Sequence, residues 1–80
     1  MFAKGPQAVK DLNRVIAMHE KNPAAVPDGA MVTAYLNLGF AHKQNGDVSD
    51  ARATWEKGKK LYPQAPEAGA MDKEIANSWQ

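Results

Sequence analysis

Hydrophobic residues recur every three or four positions along most of the chain, the spacing that places side chains on one face of an α-helix. The clearest example lies at residues 34–44, in a helix that we expect to begin just after a capping Asp28. A second pattern covers Val48–Leu61. Between the two, residues 45–47 supply a glycine that can end one helix and an aspartate that can cap the next. So short a turn predicts a hairpin of two antiparallel helices.

Small residues interrupt both helices of this hairpin at positions that face a neighbour. Gly39 lies in the middle of the first helix, where alanine would be about 1 kcal/mol more favourable. We therefore expect its missing side chain to let another helix approach closely. In the second helix, Ala51, Trp55 and Gly58 lie one turn apart on a single face. This order of small, large and small residues is typical of a packing face.

The order and spacing of these residues resemble the tetratricopeptide repeat, a helical hairpin of roughly 34 residues. The resemblance covers about residues 32–65, and it implies an all-α array of antiparallel helix-turn-helix units that binds other proteins. His42 stands where the family usually has tyrosine, and Gly58 where it usually has alanine; neither change alters the packing by size. The positions that carry the resemblance are Tyr35, Leu38, Gly39, His42, Ala51, Trp55, Gly58 and Pro63, with Gly46 and Asp47 in the turn.

One further helix is predicted on each side of the hairpin, which gives about four helices in a single domain. The first runs from Pro6 to about Lys21 and resembles the second helix of a preceding repeat, a half repeat. The last covers about residues 66–79 and lacks the Leu-Gly pair of a new repeat. We interpret it as a capping helix over the end of the stack. Its apolar stripe comprises Ala68, Met71, Ile75 and Trp79.

Composition limits the classes of function that the chain can have. A chain of 80 residues forms one domain of modest stability. Its net charge of +1 gives no electrostatic reason to expect nucleic acid or a membrane as partner. The absence of cysteine excludes disulfides, thiolate catalysis and cysteine-bound zinc. With no apolar run of about 18 residues, we expect a soluble protein, cytoplasmic or, if an upstream signal was removed, periplasmic.

Residues that could carry chemistry have simpler structural interpretations. His19 and His42 are the only histidines, and they do not form a ligand motif such as two histidines one helical turn apart. We interpret them as packed or stripe-edge rings. Asp47 and Asp50 are interpreted as carboxylates that cap the second hairpin helix or favour its positive N-terminus. We expect no enzyme: no catalytic residues, no metal and no cofactor.

A basic run on the second hairpin helix is the one charge cluster in the sequence. Glu56 interrupts it and precedes Lys60 by four residues, the favourable order for an ion pair on a helix. A solvated helix face is therefore the preferred interpretation, and a patch for an acidic partner is the alternative. The run comprises Arg52, Lys57, Lys59 and Lys60.

The other side of the first hairpin helix corresponds to positions that line the inner groove in the proteins that this chain resembles. Leu36 and Phe40 lie one turn apart there and suit an apolar helix or strand of a partner. In family members that clamp a peptide's terminal carboxylate, these two positions are lysine and asparagine, so that activity is not expected. The alternative is that Leu36 and Phe40 pack against the chain's own fourth helix. The candidate partner-binding residues are Thr33, Leu36, Asn37, Phe40, Lys43 and Gln44.

These patterns predict a protein–protein interaction module that binds a peptide or helix of another protein. The alternative is a structural subunit that assembles with itself. Repeat arrays usually need about three units to bury a continuous core, and this chain has one complete unit. The first helix has no partner on its N-terminal side, so part of its stripe of Val9, Leu12 and Ile16 is expected to stay open. A symmetric homodimer would cover that stripe.

Overall fold

Four α-helices joined by short connections make up residues 5–77, the part of the chain that the computed structural model describes. The all-α class and the four-helix array predicted from the sequence are confirmed. Trp79, the last member of the predicted stripe, lies outside the described residues. The helices are α1 Gly5–Lys21, α2 Asp28–Gln44, α3 Val48–Leu61 and α4 Pro66–Asn77, with one turn of 3₁₀ helix, Pro23–Ala25, between α1 and α2.

The turn between α2 and α3 uses glycine as predicted. Gly46 has a φ of 87°, the left-handed conformation that favours glycine, and its N–H donates to the carbonyl of Lys43. The predicted capping by the Asp47 side chain is wrong, because that side chain makes no cap hydrogen bond. Its backbone acts instead: the Asp47 N–H donates to the carbonyl of His42, and its carbonyl accepts from Ala51, each at 2.9 Å.

The start of α2 also differs from the prediction. Asp28 is the first residue of the helix rather than its cap, and Pro27 occupies the cap position. The extended backbone of Pro27 lets its carbonyl accept hydrogen bonds from Ala30 and Met31 at 3.0 and 3.1 Å. The carboxylate of Asp28 therefore stays in the first turn, where the partial positive charge of the helix N-terminus favours it.

α2 is the central helix, since it contacts α1, α3 and α4. Two side-chain contacts fix the direction of α4. The Thr33 hydroxyl donates to a carboxylate oxygen of Glu67 at 3.4 Å, and Lys43 Nζ lies 3.6 Å from a carboxylate oxygen of Glu74. The start of α2 thus meets the start of α4, and the two ends meet likewise. α4 therefore runs beside α2 in the same direction, and their exposed sides form one continuous face.

The core is built where large side chains enter the gaps left by glycines. A β-carbon added to Gly39 would overlap the indole ring of Trp55, and one added to Gly58 would lie 2.8 Å from the sulfur of Met71. The expectation that a helix approaches closely at Gly39 is therefore confirmed. The indole N–H of Trp55 donates to the carbonyl of Leu36 at 3.0 Å, which fixes the ring against α2. Trp55 and Met71 are fully buried.

The apolar stripe of α1 packs against this core. Ile16 is buried, while Val9 and Leu12 are partly buried against the core residues. Within residues 5–77, the large hydrophobic side chains that are exposed are Met18 and Leu61, at 50% and 51%. Leu61, the last residue of the pattern that predicted α3, therefore lies largely outside the core. No helix in the described part of the chain is both long and apolar enough to cross a membrane.

Candidate functional site

The six residues predicted to bind a partner lie on α2 and divide into two groups. Leu36 and Phe40 are partly buried and pack against the core. The ring of Phe40 meets the indole of Trp55 edge to face, with centroids 5.5 Å apart and planes at 74°. Both side chains thus contribute to the domain's own packing, and their role in binding stays a prediction. The exposed members of the set are Thr33, Asn37, Lys43 and Gln44.

α4 supplies the second wall of this surface. Thr33 and Lys43 contact Glu67 and Glu74, one pair near each end of the α2–α4 face. Asn37 is exposed between them, one turn of helix after Thr33. We define the groove face as the exposed side of α2 together with Glu67 and Glu74, the α4 residues that contact it. This face is therefore a polar strip with the flanks of the two apolar α2 side chains beside it.

An apolar cavity of about 340 Å³ opens at the start of the groove face. One wall comes from the first turns of α2 and the other from the connection between α3 and α4. Gly29 lies in the first wall, and a β-carbon added there would have no atom within 4 Å. We call this the Tyr62 cavity. Its lining includes Asp28, Gly29, Val32, Leu61, Tyr62 and Pro63, followed by Gln64, Ala65, Pro66 and Glu67.

Sequence reasoning missed the Tyr62 cavity because its two walls are distant along the chain. The available signals were an exposed glycine at the start of α2 and a connection that contains Pro63 and Pro66. Neither signal indicates on its own that the two segments face each other. That arrangement depends on the parallel placement of α4 beside α2.

Tyr62 forms part of the cavity wall next to a carboxylate. Burial raises the pKa of its phenol above the ordinary value, and the negative charge of Asp28 raises it further, with a smaller effect from Tyr35. The two tyrosine rings lie 6.3 Å apart at an angle of 46°. The carboxylate of Asp28 is 82% exposed and lies 3.7 Å from Nε2 of His19. The cavity therefore combines an apolar interior with a protonated phenol and an anionic rim.

We expect Tyr62 to ionise at a higher pH than a free tyrosine, whose pKa is about 10. Above a pH of about 10 the unfolded chain has lost the phenol proton of Tyr62, whereas the folded chain still holds it. The free energy of unfolding of the wild type should therefore fall as the pH rises above about 10. The difference in tyrosinate absorbance between the wild type and Tyr62→Phe during an alkaline titration gives the ionisation curve of Tyr62. Asp28→Asn should move this curve to lower pH, and an ionisation at or below the ordinary value would contradict the assignment.

The basic run on α3 is engaged with neighbouring helices. Lys59 Nζ lies 2.7 Å from a carboxylate oxygen of Asp72 on α4. Lys57 Nζ lies 3.9 Å from a carboxylate oxygen of Glu20 on α1, and it also lies 5.8 Å from the centroid of the Tyr35 ring. These exposed pairs link α3 to α4 and to α1, at about 0–1 kcal/mol each. A basic patch that is open to an acidic partner is therefore a weaker interpretation of α3 than a solvated helix face with ion pairs.

A group of possible ligands lies at the turn between α2 and α3. One donor atom from each of His42, Asp47 and Asp50 lies within 4.8 Å of the others. The Nδ1 atom of His42 is buried and has no hydrogen-bond partner among the described residues. The two carboxylates are exposed at the start of α3, where the helix N-terminus favours negative charge. That position accounts for the carboxylates without an ion.

Comparison of the chain with protein-family models, curated proteins and solved structures finds no match. The four-helix arrangement is shared by many all-α proteins, so it does not by itself assign the chain to the tetratricopeptide family.

Proposed function

We propose that this chain is a protein-interaction module of the tetratricopeptide type, and that a short segment of another protein binds along its groove face. The observation that carries the proposal is the Tyr62 cavity, an apolar space between the first turns of α2 and the connection that leads into α4. Pockets that anchor ligands are typically concave and mostly apolar, with a few polar groups that fix orientation. The polar side chains of Asn37 and Gln44 continue the face along α2.

The geometry supports an extended or helical segment with one anchoring side chain. Burying a large apolar side chain in the Tyr62 cavity contributes roughly 1.5–3 kcal/mol. The exposed flank of Leu61 and the polar strip of α2 add smaller contributions at the rim. Association itself costs several kcal/mol, so we expect weak binding, in the micromolar range or above. A module of this kind serves transient contacts rather than permanent complexes.

Filling the mouth of the cavity is expected to abolish binding without harming the fold. Gly29→Leu adds a side chain to a cavity wall at a helical position with open space around it. Replacing a helical glycine removes a penalty of about 1 kcal/mol, so the variant should melt at the same or a higher temperature. Peptides selected from a random display library on the wild type should lose at least tenfold in affinity for it, as measured by calorimetry.

The chain offers a matched control for this substitution. Gly69 is also a helical glycine with open space around it, but it lies outside the cavity lining. Gly69→Leu should therefore bind the selected peptides as the wild type does. Amide shifts on peptide binding should centre on Val32 and Tyr62. If the peptides instead shift α1 and bind Gly29→Leu unchanged, the cavity is not the binding site.

Self-assembly is the competing function predicted from the sequence. The stripe of Val9, Leu12 and Ile16, which a homodimer was expected to cover, packs against the core, with Ile16 buried and the other two partly buried, so it offers a second copy less apolar surface than an open stripe. We therefore favour binding of another protein. Light scattering coupled to size exclusion, over a tenfold dilution, separates the two. The mass of a single chain at every concentration excludes self-assembly, whereas a stable dimer that binds no peptide would replace the present proposal.

A further inference from the structure

The charges around the Tyr62 cavity indicate the kind of segment that it accepts. Of the ten residues that line it, Asp28 and Glu67 are the ionisable ones that are charged at neutral pH, and both are anionic. They come from opposite walls, the first turn of α2 and the first turn of α4. The cavity itself is apolar. A ligand that complements both properties has a large apolar side chain next to a positive charge.

We propose that the Tyr62 cavity takes a large aliphatic or aromatic side chain from a partner segment in which a lysine or arginine stands next to it. The cation lies at the rim, between Asp28 and Glu67, while the apolar side chain enters the cavity. This inference rests on the proposed function of the same surface and adds the chemistry of the partner. An acidic segment is disfavoured because its carboxylates would meet two of the same sign.

Each carboxylate also has a local structural role, and that role alone does not explain its position at the cavity. A helix start favours negative charge, and Glu67 is the acceptor of the Thr33 hydroxyl at 3.4 Å. These roles explain the presence of acidic residues in the first turns, but not that both first turns open onto one apolar cavity. Asp28 also acts on the cavity wall, since its charge contributes to the raised pKa of Tyr62.

A second copy of the chain is a poorer occupant than a basic segment. Two-fold pairing of the cavities would bring Asp28 and Glu67 of one copy against the same residues of the other. Like charges placed together across an interface are unfavourable. A partner with the opposite charge avoids this cost and also gains from electrostatic steering during the encounter.

The test begins with a display library of random short peptides, selected on the wild-type protein and counter-selected on Gly29→Leu. The selected peptides should be enriched in a large apolar residue next to lysine or arginine. For one such peptide, exchange of its basic residue for glutamine should weaken binding about twofold to fivefold, within the range expected for exposed ion pairs. The Asp28→Asn, Glu67→Gln double variant should show a similar loss, and little further loss with the exchanged peptide.

Controls separate this inference from the proposed function on which it rests. Asp50→Asn removes a carboxylate from the first turn of α3, away from the cavity, and should leave the affinity unchanged. If no peptide binds the wild type, the proposed function itself fails. If peptides bind and Gly29→Leu abolishes their binding, but neither the double variant nor the loss of the basic residue weakens it, the function stands and the charge preference is overturned. Selection of acidic peptides would also overturn it.

Discussion

Replacement of Gly39 by leucine is expected to destabilise the domain by about 3 kcal/mol, the upper end of the usual cost of overpacking a core. A single added β-carbon already overlaps the Trp55 indole, which is fully buried. The indole cannot move aside cheaply, because its N–H donates to the carbonyl of Leu36 and it packs edge to face with the ring of Phe40. Small domains have about 5–15 kcal/mol of stability, so the loss should be plain in thermal and urea unfolding monitored by circular dichroism.

Gly69→Leu is the control for this experiment as well. A β-carbon added at Gly69 meets no atom within 4 Å, so a general effect of leucine on helix formation appears there without overlap at the β-carbon. We expect this variant to be as stable as the wild type or slightly more stable. Equal unfolding curves for Gly39→Leu and the wild type would contradict the close approach of α3 at this position.

The packing of α2 on α3 could be predicted because it is encoded in each helix separately. Gly39 marks a gap in one helix, and the order of Ala51, Trp55 and Gly58 marks a filled face in the other. Because the turn at Gly46 is short, the two helices must pack side by side. The indole of Trp55 occupies the gap that Gly39 leaves, which joins the two local signals.

Helix starts were predicted less well because several groups compete to cap them. Asp28 and Asp47 both have side chains suited to capping, yet neither caps its helix through its side chain. At Asp28 the preceding proline already supplies a carbonyl in the right conformation. At Asp47 the backbone N–H donates to the carbonyl of His42 near the end of α2, which places the residue for the turn rather than for side-chain capping. Residue type alone does not decide between these outcomes.

The α2 side of the groove face could be proposed from the sequence, whereas the Tyr62 cavity could not. The resemblance to the tetratricopeptide repeat indicated that side, including Thr33 and Asn37, and all its residues belong to one helix. The Tyr62 cavity depends on the distance between the first turn of α2 and the connection after Leu61. That distance is set by the packing of Met71 against Gly58, which brings α4 onto α3. The hydrophobic periodicity of a helix does not show how that helix packs on another one, so it does not predict the cavity.

Trp55→Leu is expected to destabilise the domain by about 3 kcal/mol. It is also expected to change the effect of Gly39→Ala from destabilising to stabilising. The change removes the indole of a fully buried residue and its hydrogen bond to the carbonyl of Leu36. It also removes Nε1 and Cε2, the two indole atoms nearest to a β-carbon at Gly39. In the wild type, Gly39→Ala should be destabilising because that space is occupied. In Trp55→Leu the same change should stabilise by up to about 1 kcal/mol, the helical preference of alanine over glycine.

The reversal of sign is the decisive measurement, because it does not depend on how far Trp55→Leu weakens the fold. Urea unfolding of the wild type, both single variants and the double variant gives the coupling energy between the two positions, which we expect to exceed about 1 kcal/mol. A general intolerance of α2 to side chains at residue 39 would make Gly39→Ala equally harmful in both backgrounds. That result would mean that residue 39 must be glycine because of the backbone of α2, and not because the Trp55 side chain of α3 occupies the adjacent space.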